Sequence, residues 1–188
     1  MLQDEINNAV EVLKKGGVIL YPTDTVWGIG CDPTNPDAVK RVFEIKHRED
    51  SKSMICLVDN PNRLVRYVRQ IPDVAWDMLE LSTTPLTLIL DDVHGLAPGM
   101  TAEDGSAGFR VTDEEFSKAL CYKFQKPVVS TSANISGETT PRNFYAISEE
   151  IKNAVDYVVK YNRRCKEKRS PSKIVKVSNN NVIKIIRS

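Results

Sequence analysis

Apolar residues near the start of the chain fall first at helical spacing and then in short unbroken runs. Within residues 3–15, Ile6, Ala9, Val10 and Leu13 share one helical face, and Gly16-Gly17 closes the helix. The run Gly17 to Pro22 (GVILYP) then reads as a buried strand. A helix over 36–46 turns Val39, Val42 and Phe43 inward, and Met54 to Val58 reads as a second strand. Helical signals return around 61–69 and 73–82, before Leu86 to Leu90 (LTLIL), a strand bounded by Pro85 and Asp91-Asp92. Further strands are predicted at 107–111, 127–131, 155–159, 173–177 and 182–186, with helices at about 113–123 and 146–153. Strands alternate with helices and become consecutive only at the end. That order predicts an α/β fold with a mixed sheet covered by helices.

Composition narrows the setting. The 188 residues suit a single domain, and 41% hydrophobic with 27% charged residues are globular proportions. No apolar run approaches the ~20 residues of a membrane-spanning helix, and MLQDEINNAVEVLKKGG has no cleavable apolar core. A cytoplasmic protein with no membrane attachment is expected. Cys31, Cys56, Cys121 and Cys165 form no CxxC, so reduced and mostly buried thiols are expected rather than a zinc site. A net charge of +1 argues against coating nucleic acid by charge alone. Phosphate binding would have to come from local clusters, of which Lys160 to Arg169 is the densest and Lys40 to Lys52 a looser one.

Several chemistries lack material. Only His47 and His94 are present, no GxSxG elbow surrounds Ser130 or Ser132, and no Walker A sequence occurs. Gly28-Ile29-Gly30-Cys31-Asp32-Pro33 begins like a dinucleotide fingerprint but puts proline where a helix should open, so a close-packed backbone turn is the better reading. What remains is cationic and small polar groups on predicted loops: Lys46-His47-Arg48 with Lys52, then Arg110, then Ser130 to Gly137. A polyanion needs positive charge that survives partial burial, which this pattern offers. Lys46 and Arg48 belong to no apolar stripe, so their replacement is expected to leave the fold intact. Asp24, at the end of the first strand, could be a metal ligand, a general base or a turn residue. Ser132 and Asn134 could equally be caps.

In order along the chain, YPTDTVWGIGCD (21–32), KHREDSK (46–52), PLTLIL (85–90), GFRV (108–111), STSANISG (130–137) and PSKIV (171–175) resemble the YrdC family of threonylcarbamoyl-AMP synthases. The resemblance covers nearly the whole chain and implies a single YrdC-like domain, 1–188, whose twisted open sheet carries a positively charged concave cavity for ATP and threonine. Carried over by motif position, Lys46, Arg48, Ser132 and Asn134 are the catalytic set. Arg48, Lys52, Ser106, Asn134, Arg142 and Arg187 meet the nucleotide, and Thr25, Arg110, Ser132 and Ser172 meet threonine. Magnesium accompanies ATP without dedicated protein ligands. The match departs at Glu49 and Ser53-Met54, where the family often has Pro and Pro-Leu, and at Leu57, where many relatives have histidine near the amino acid.

The implied reaction joins threonine's amine to bicarbonate; the resulting carbamate attacks the α-phosphate of ATP and expels pyrophosphate. Its product serves tRNA threonylcarbamoyladenosine modification, completed by other proteins. A rival reading is a non-catalytic RNA-binding factor of translation or ribosome assembly that grips RNA phosphates in the same cavity. Transfer of a different carbamoyl-type substrate is a third, since fold alone does not fix function.

Overall fold

The computed structural model describes residues 1–47, 54–164 and 171–188. The first helix, α1 (Leu2–Lys14), buries Ile6, Ala9, Val10 and Leu13 as its spacing requires. Gly16 then takes φ +78°, a left-handed turn that glycine adopts without steric cost. Helix α2 (Pro36–Ile45) starts under Asn35, whose Oδ1 accepts from the amides of Asp37 and Ala38 at 3.0 and 3.2 Å. Its C-cap is Lys46. Helices α3 (Asp73–Leu81), α4 (Glu115–Phe124) and α5 (Glu149–Ala154) complete the set. Residues 61–69, expected as an ordinary helix, instead form a six-residue 3-10 helix, Pro61–Arg66, followed by a turn.

Among the described residues, nine strands share one sheet: β1 (Ile19–Tyr21), β2 (Gly28–Gly30), β3 (Ile55–Val58), β4 (Leu86–Leu90), β5 (Ala107–Val111), β6 (Val128–Ser132), β7 (Tyr157–Val158), β8 (Lys173–Val177) and β9 (Ile183–Arg187). Their order is β7-β1-β2-β6-β3-β5-β4-β8-β9, with parallel pairs β1/β7, β3/β5 and β4/β8 among antiparallel ones. This is the mixed, open sheet flanked by helices that the alternation of elements predicts. Strand β2 lies where an irregular segment is expected, because a glycine-bounded strand of three residues has almost no apolar pattern to read. Its glycines permit close packing: a Cβ on Gly30 would sit 2.5 Å from the Val129 carbonyl oxygen and 2.6 Å from the Tyr21 ring.

Register explains how the sheet presents a site. Thr87 faces Arg110 and Ile174, Ile89 faces Gly108 and Lys176, and Ile55 faces Gly108, so these residues share one face. Their neighbours Cys56, Leu88, Phe109, Val175 and Val177 point the other way and are buried in the core. Helix α1 packs on β1 and α4, and α4 packs on β3. Among the described residues, no helix is long and apolar enough to cross a membrane.

Candidate functional site

On the face defined by Thr87 and Arg110 lies a cavity of about 230 Å³. Thr25, Arg110, Ser132, Ser172 and Arg187, distant in sequence, all line it. Its charged lining residues are the two arginines, and no carboxylate lines it among the described residues. A second lobe of about 300 Å³ shares Met54, Ile55, Thr87 and Ile174 with the first and extends to Ser106 and Lys176. Gly108 lines the second lobe; a Cβ there would come within 2.9 Å of Ile55.

Arg110 is the central cation. It is only 4% exposed, because a mid-strand position in β5 places its guanidinium within the fold. Its Nη2 donates to Thr25 Oγ1 at 3.2 Å and lies 2.9 Å from Asp24 Oδ1. Its Nε is buried and has no hydrogen-bond partner. A buried guanidinium with an unspent donor is ready to receive a planar anion such as a carboxylate. The loop that supplies Asp24 and Thr25 is shaped by Thr23, whose Oγ1 donates to the Val26 carbonyl at 2.6 Å and accepts from the Thr25 amide at 3.2 Å. Leu57 is fully buried and in register with Arg110.

The opposite wall is built by the start of β8. Ser172 Oγ sits 2.8 Å from Thr87 Oγ1, and its carbonyl accepts from Nε and Nη2 of Arg187 at 3.0 and 2.8 Å. Arg187 thereby ties β9 to the segment entering β8 while lining the cavity. Thr87 escapes the sequence reading as a site residue, although a lone hydroxyl inside LTLIL is a usable signal. Ser106 Oγ donates to Asp104 Oδ1 at 2.6 Å, and Lys176 bridges Asp104 and, at 3.4 Å, Asp91. The Lys176 ammonium and the Ser106 donors hold the Asp104 carboxyl down at about 2.

Lys46 behaves unlike an exposed phosphate ligand. It is 2% exposed, and Nζ donates to the main-chain carbonyls of Ser132 and Asn134, the latter at 2.7 Å. Asn134 is also buried; its Nδ2 donates to the carbonyls of Ile135 and Glu138 at 2.9 and 3.0 Å, while Oδ1 has no partner. The cap reading of Asn134 and the site reading therefore use different ends of one amide. The expectation that losing Lys46 leaves the fold untouched is corrected, because this side chain clasps the 132–136 loop from inside. Arg142 is exposed and lines neither lobe. Arg48, Lys52 and Cys165 lie outside the described residues, as does half of the 160–169 basic cluster.

Other chemistries gain no support. Burial pushes the thiols of Cys31, Cys56 and Cys121 well up, which leaves them protonated and poor nucleophiles. Among the described residues, no group of three or more His, Cys, Asp or Glu comes together to hold a metal.

Known proteins resolve which architecture this is. The Sua5/YciO/YrdC family model, described as "Telomere recombination", matches residues 11–188. The chain belongs to this family. Among curated members, the threonylcarbamoyl-AMP synthase of Pseudoalteromonas translucida is 36% identical over 160 residues, covering 84% of this chain and 86% of that protein. The protein of the same name from Idiomarina loihiensis is 31% identical over 173 residues, covering 90% and 92%. Among solved members, E. coli YciO superposes with TM-score 0.85 at 24% identity, covering 99% of this chain and 89% of its own. Pyrococcus abyssi Sua5 complexed with L-threonine gives TM-score 0.81 at 23% identity, covering 91% of this chain and 50% of that one. At those identities the two structures speak for the Sua5/YciO/YrdC fold.

Proposed function

We propose that this chain is a threonylcarbamoyl-AMP synthase, forming threonylcarbamoyl-AMP and pyrophosphate from ATP, L-threonine and bicarbonate. The name shared by its curated relatives supports the reaction. The observation that carries the substrate assignment is the buried Arg110 guanidinium, with Nε unpartnered, in a lobe that no described carboxylate lines. A free carboxylate such as that of threonine is the ligand this arrangement suits.

Threonine's amine adds to bicarbonate with loss of water, giving a carbamate. A carbamate oxygen then forms a bond to the α-phosphorus of ATP while the bond to the bridging β-phosphate oxygen breaks and pyrophosphate leaves. No protein nucleophile is required, in keeping with the protonated buried thiols. The protein's part is positioning and charge stabilisation. Thr25, Arg110, Ser132 and Ser172 hold threonine, with the Thr87 hydroxyl beside Ser172. Ser106 from the second lobe and Arg187 from the first serve the nucleotide, joined by Asn134 and Arg142, which line neither lobe. Arg48 and Lys52 meet the triphosphate. Lys46 acts by holding the 132–136 loop in register with them. Magnesium enters with ATP, bound through nucleotide oxygens and water.

The cavity carries net positive potential in this reading, and the product passes in the cytoplasm to proteins that transfer the threonylcarbamoyl group to tRNA. Mass analysis of the short-lived product, with pyrophosphate release measured in parallel, tests the assignment. A threonylcarbamoyl-adenylate mass that requires all three substrates is expected. Release that ignores threonine or bicarbonate would transfer the chain to another carbamoyl or adenylyl chemistry.

A further inference from the structure

Asp24, left open by its sequence as metal ligand, general base or turn residue, sits in the bend between β1 and β2 and there pairs with Arg110. Its Oδ1 lies 2.9 Å from Arg110 Nη2, and its side chain is 13% exposed against 4% for the arginine. The two partners face different spaces. Arg110 lines the first lobe, whereas Asp24 lines a separate cavity of about 260 Å³ walled by Leu79, Pro85, Leu86, Val111 and Asp113. The ion pair is thus part of the partition between them, and a substrate entering the first lobe meets the arginine rather than the carboxylate.

The guanidinium is planar and rigid, so fixing one nitrogen from two sides fixes the orientation of the others. Nη2 is held in that way, by the charge of Asp24 Oδ1, which pairs with it without hydrogen-bond alignment, and by a hydrogen bond to Thr25 Oγ1 at 3.2 Å. Nε is left buried and without a hydrogen-bond partner. Thr25 alone offers a neutral, single acceptor; Asp24 supplies the charge that holds Nη2 on the far side of the wall.

We propose that Asp24 is a positioning residue for the amino-acid substrate: by holding Nη2 of Arg110 from behind the wall, it aims the remaining guanidinium donors at the substrate carboxylate. The inference rests on the threonine assignment made above. It also sets a trade-off, because a nearby carboxylate repels the substrate's own. Orientation wins over repulsion when the aspartate is neutralised by its arginine and separated from the lobe, as it is here.

The test uses Asp24→Asn in the full chain, with pyrophosphate release measured against threonine and then against ATP. The threonine KM is expected to rise about tenfold, the scale of one shielded charge contact, with the ATP KM changed by less than about twofold. A merely structural aspartate would lower the melting temperature and the active fraction without splitting the two constants. The decisive comparison is the double variant. Because Asp24 acts through Arg110, adding Asp24→Asn to Arg110→Ala should change the threonine KM by less than about twofold. Should Asp24→Asn melt below the assay temperature, Asp24→Glu, which keeps the charge but shifts it by one methylene, is read by the same split. An unchanged or lowered threonine KM in the single variant, or a full multiplicative cost in the double, overturns the proposal. A wild-type protein that makes no product from threonine overturns the functional assignment itself, a result distinct from either.

Discussion

Lys46 and Arg110 are both cations withdrawn from water, at 2% and 4% exposure, yet the protein uses them in opposite ways. The lysine ammonium is directed at two main-chain carbonyls of the loop it supports. The arginine gives one nitrogen to Asp24 and Thr25 and keeps Nε without a partner beside a cavity. Burying a charge costs free energy unless it is paired, so each cation reports what it is paired with. Where the chain's own carbonyls take up the ammonium, the cation supports local structure. Where a buried donor is left over, the described chain does not itself account for the charge it carries.

The strongest way to break this contrast is Lys46→Met, which keeps most of the volume but removes the ammonium. The buried carbonyl of Asn134 and the partly buried one of Ser132 then lose a charged donor, at a cost of about 3 kcal/mol. For a chain of this size that corresponds to a melting temperature lower by roughly 6–12 °C. Turnover should fall further than the melting curve alone explains, because the displaced loop carries Ser132 and Asn134. A variant that melts like the wild type but has lost ATP affinity would make Lys46 a nucleotide ligand after all.

Arg110→Ala should produce the complementary result. Loss of a two-bond fork to a shielded carboxylate is expected to raise the threonine KM about a hundredfold, with the ATP KM nearly unchanged. Arg110→Lys keeps the charge without the fork and should recover only part of that loss. Steady-state kinetics with each substrate varied in turn, beside a thermal melt, sharpens the comparison. Equal rises in both constants, or full rescue by lysine, would reduce Arg110 to a general source of positive potential.

How much of this was legible in the sequence depended on whether the signal was carried by side chains. Strands β4, β5 and β8 were readable because apolar alternation there is strong, and α1 because four core residues share a stripe. Strand β2 was not, since Gly28 and Gly30 contribute no hydrophobic pattern and their close approach to β1 and β6 is a property of the backbone. The threonine-side residues named through family motifs, Thr25, Arg110, Ser132 and Ser172, converge on one lobe with Arg187. Ser106 falls in the neighbouring lobe, and Arg142 lines neither. Motif position assigns Lys46 to the nucleotide, whereas its ammonium donates to main-chain carbonyls of Ser132 and Asn134, acceptors that no residue type announces. The pairing of Asp24 with Arg110 joins the loop between β1 and β2 to β5, far along the chain, so no local pattern announces it.

A third cation marks the exposed end of the same scale. Lys176, on the wall of the second lobe, reaches Asp104 and Asp91, but Asp104 is more than half exposed, so water screens the interaction. Its carboxyl is nevertheless held down at about 2, chiefly by Lys176 and then by Ser106. The folded state therefore binds the Asp104 proton less readily than the unfolded state does. The associated stability is present above the ordinary carboxylate value near 3.8 and is lost as the pH falls towards about 2. Asp104→Asn should abolish that local contribution and flatten the acid limb of a stability profile between those two values. At neutral pH the loss should stay within about 1 kcal/mol, or a few degrees in melting temperature, because the pair is solvated. Chemical unfolding of the wild type and Asp104→Asn at matched pH from 2 to 7 measures the difference directly. A gap between the two proteins that stays constant down the acid limb would mean that Asp104 acts through its hydrogen bond to Ser106 rather than through its charge. A neutral-pH loss as large as that of Lys46→Met would show that exposure is a poor guide to how these cations work.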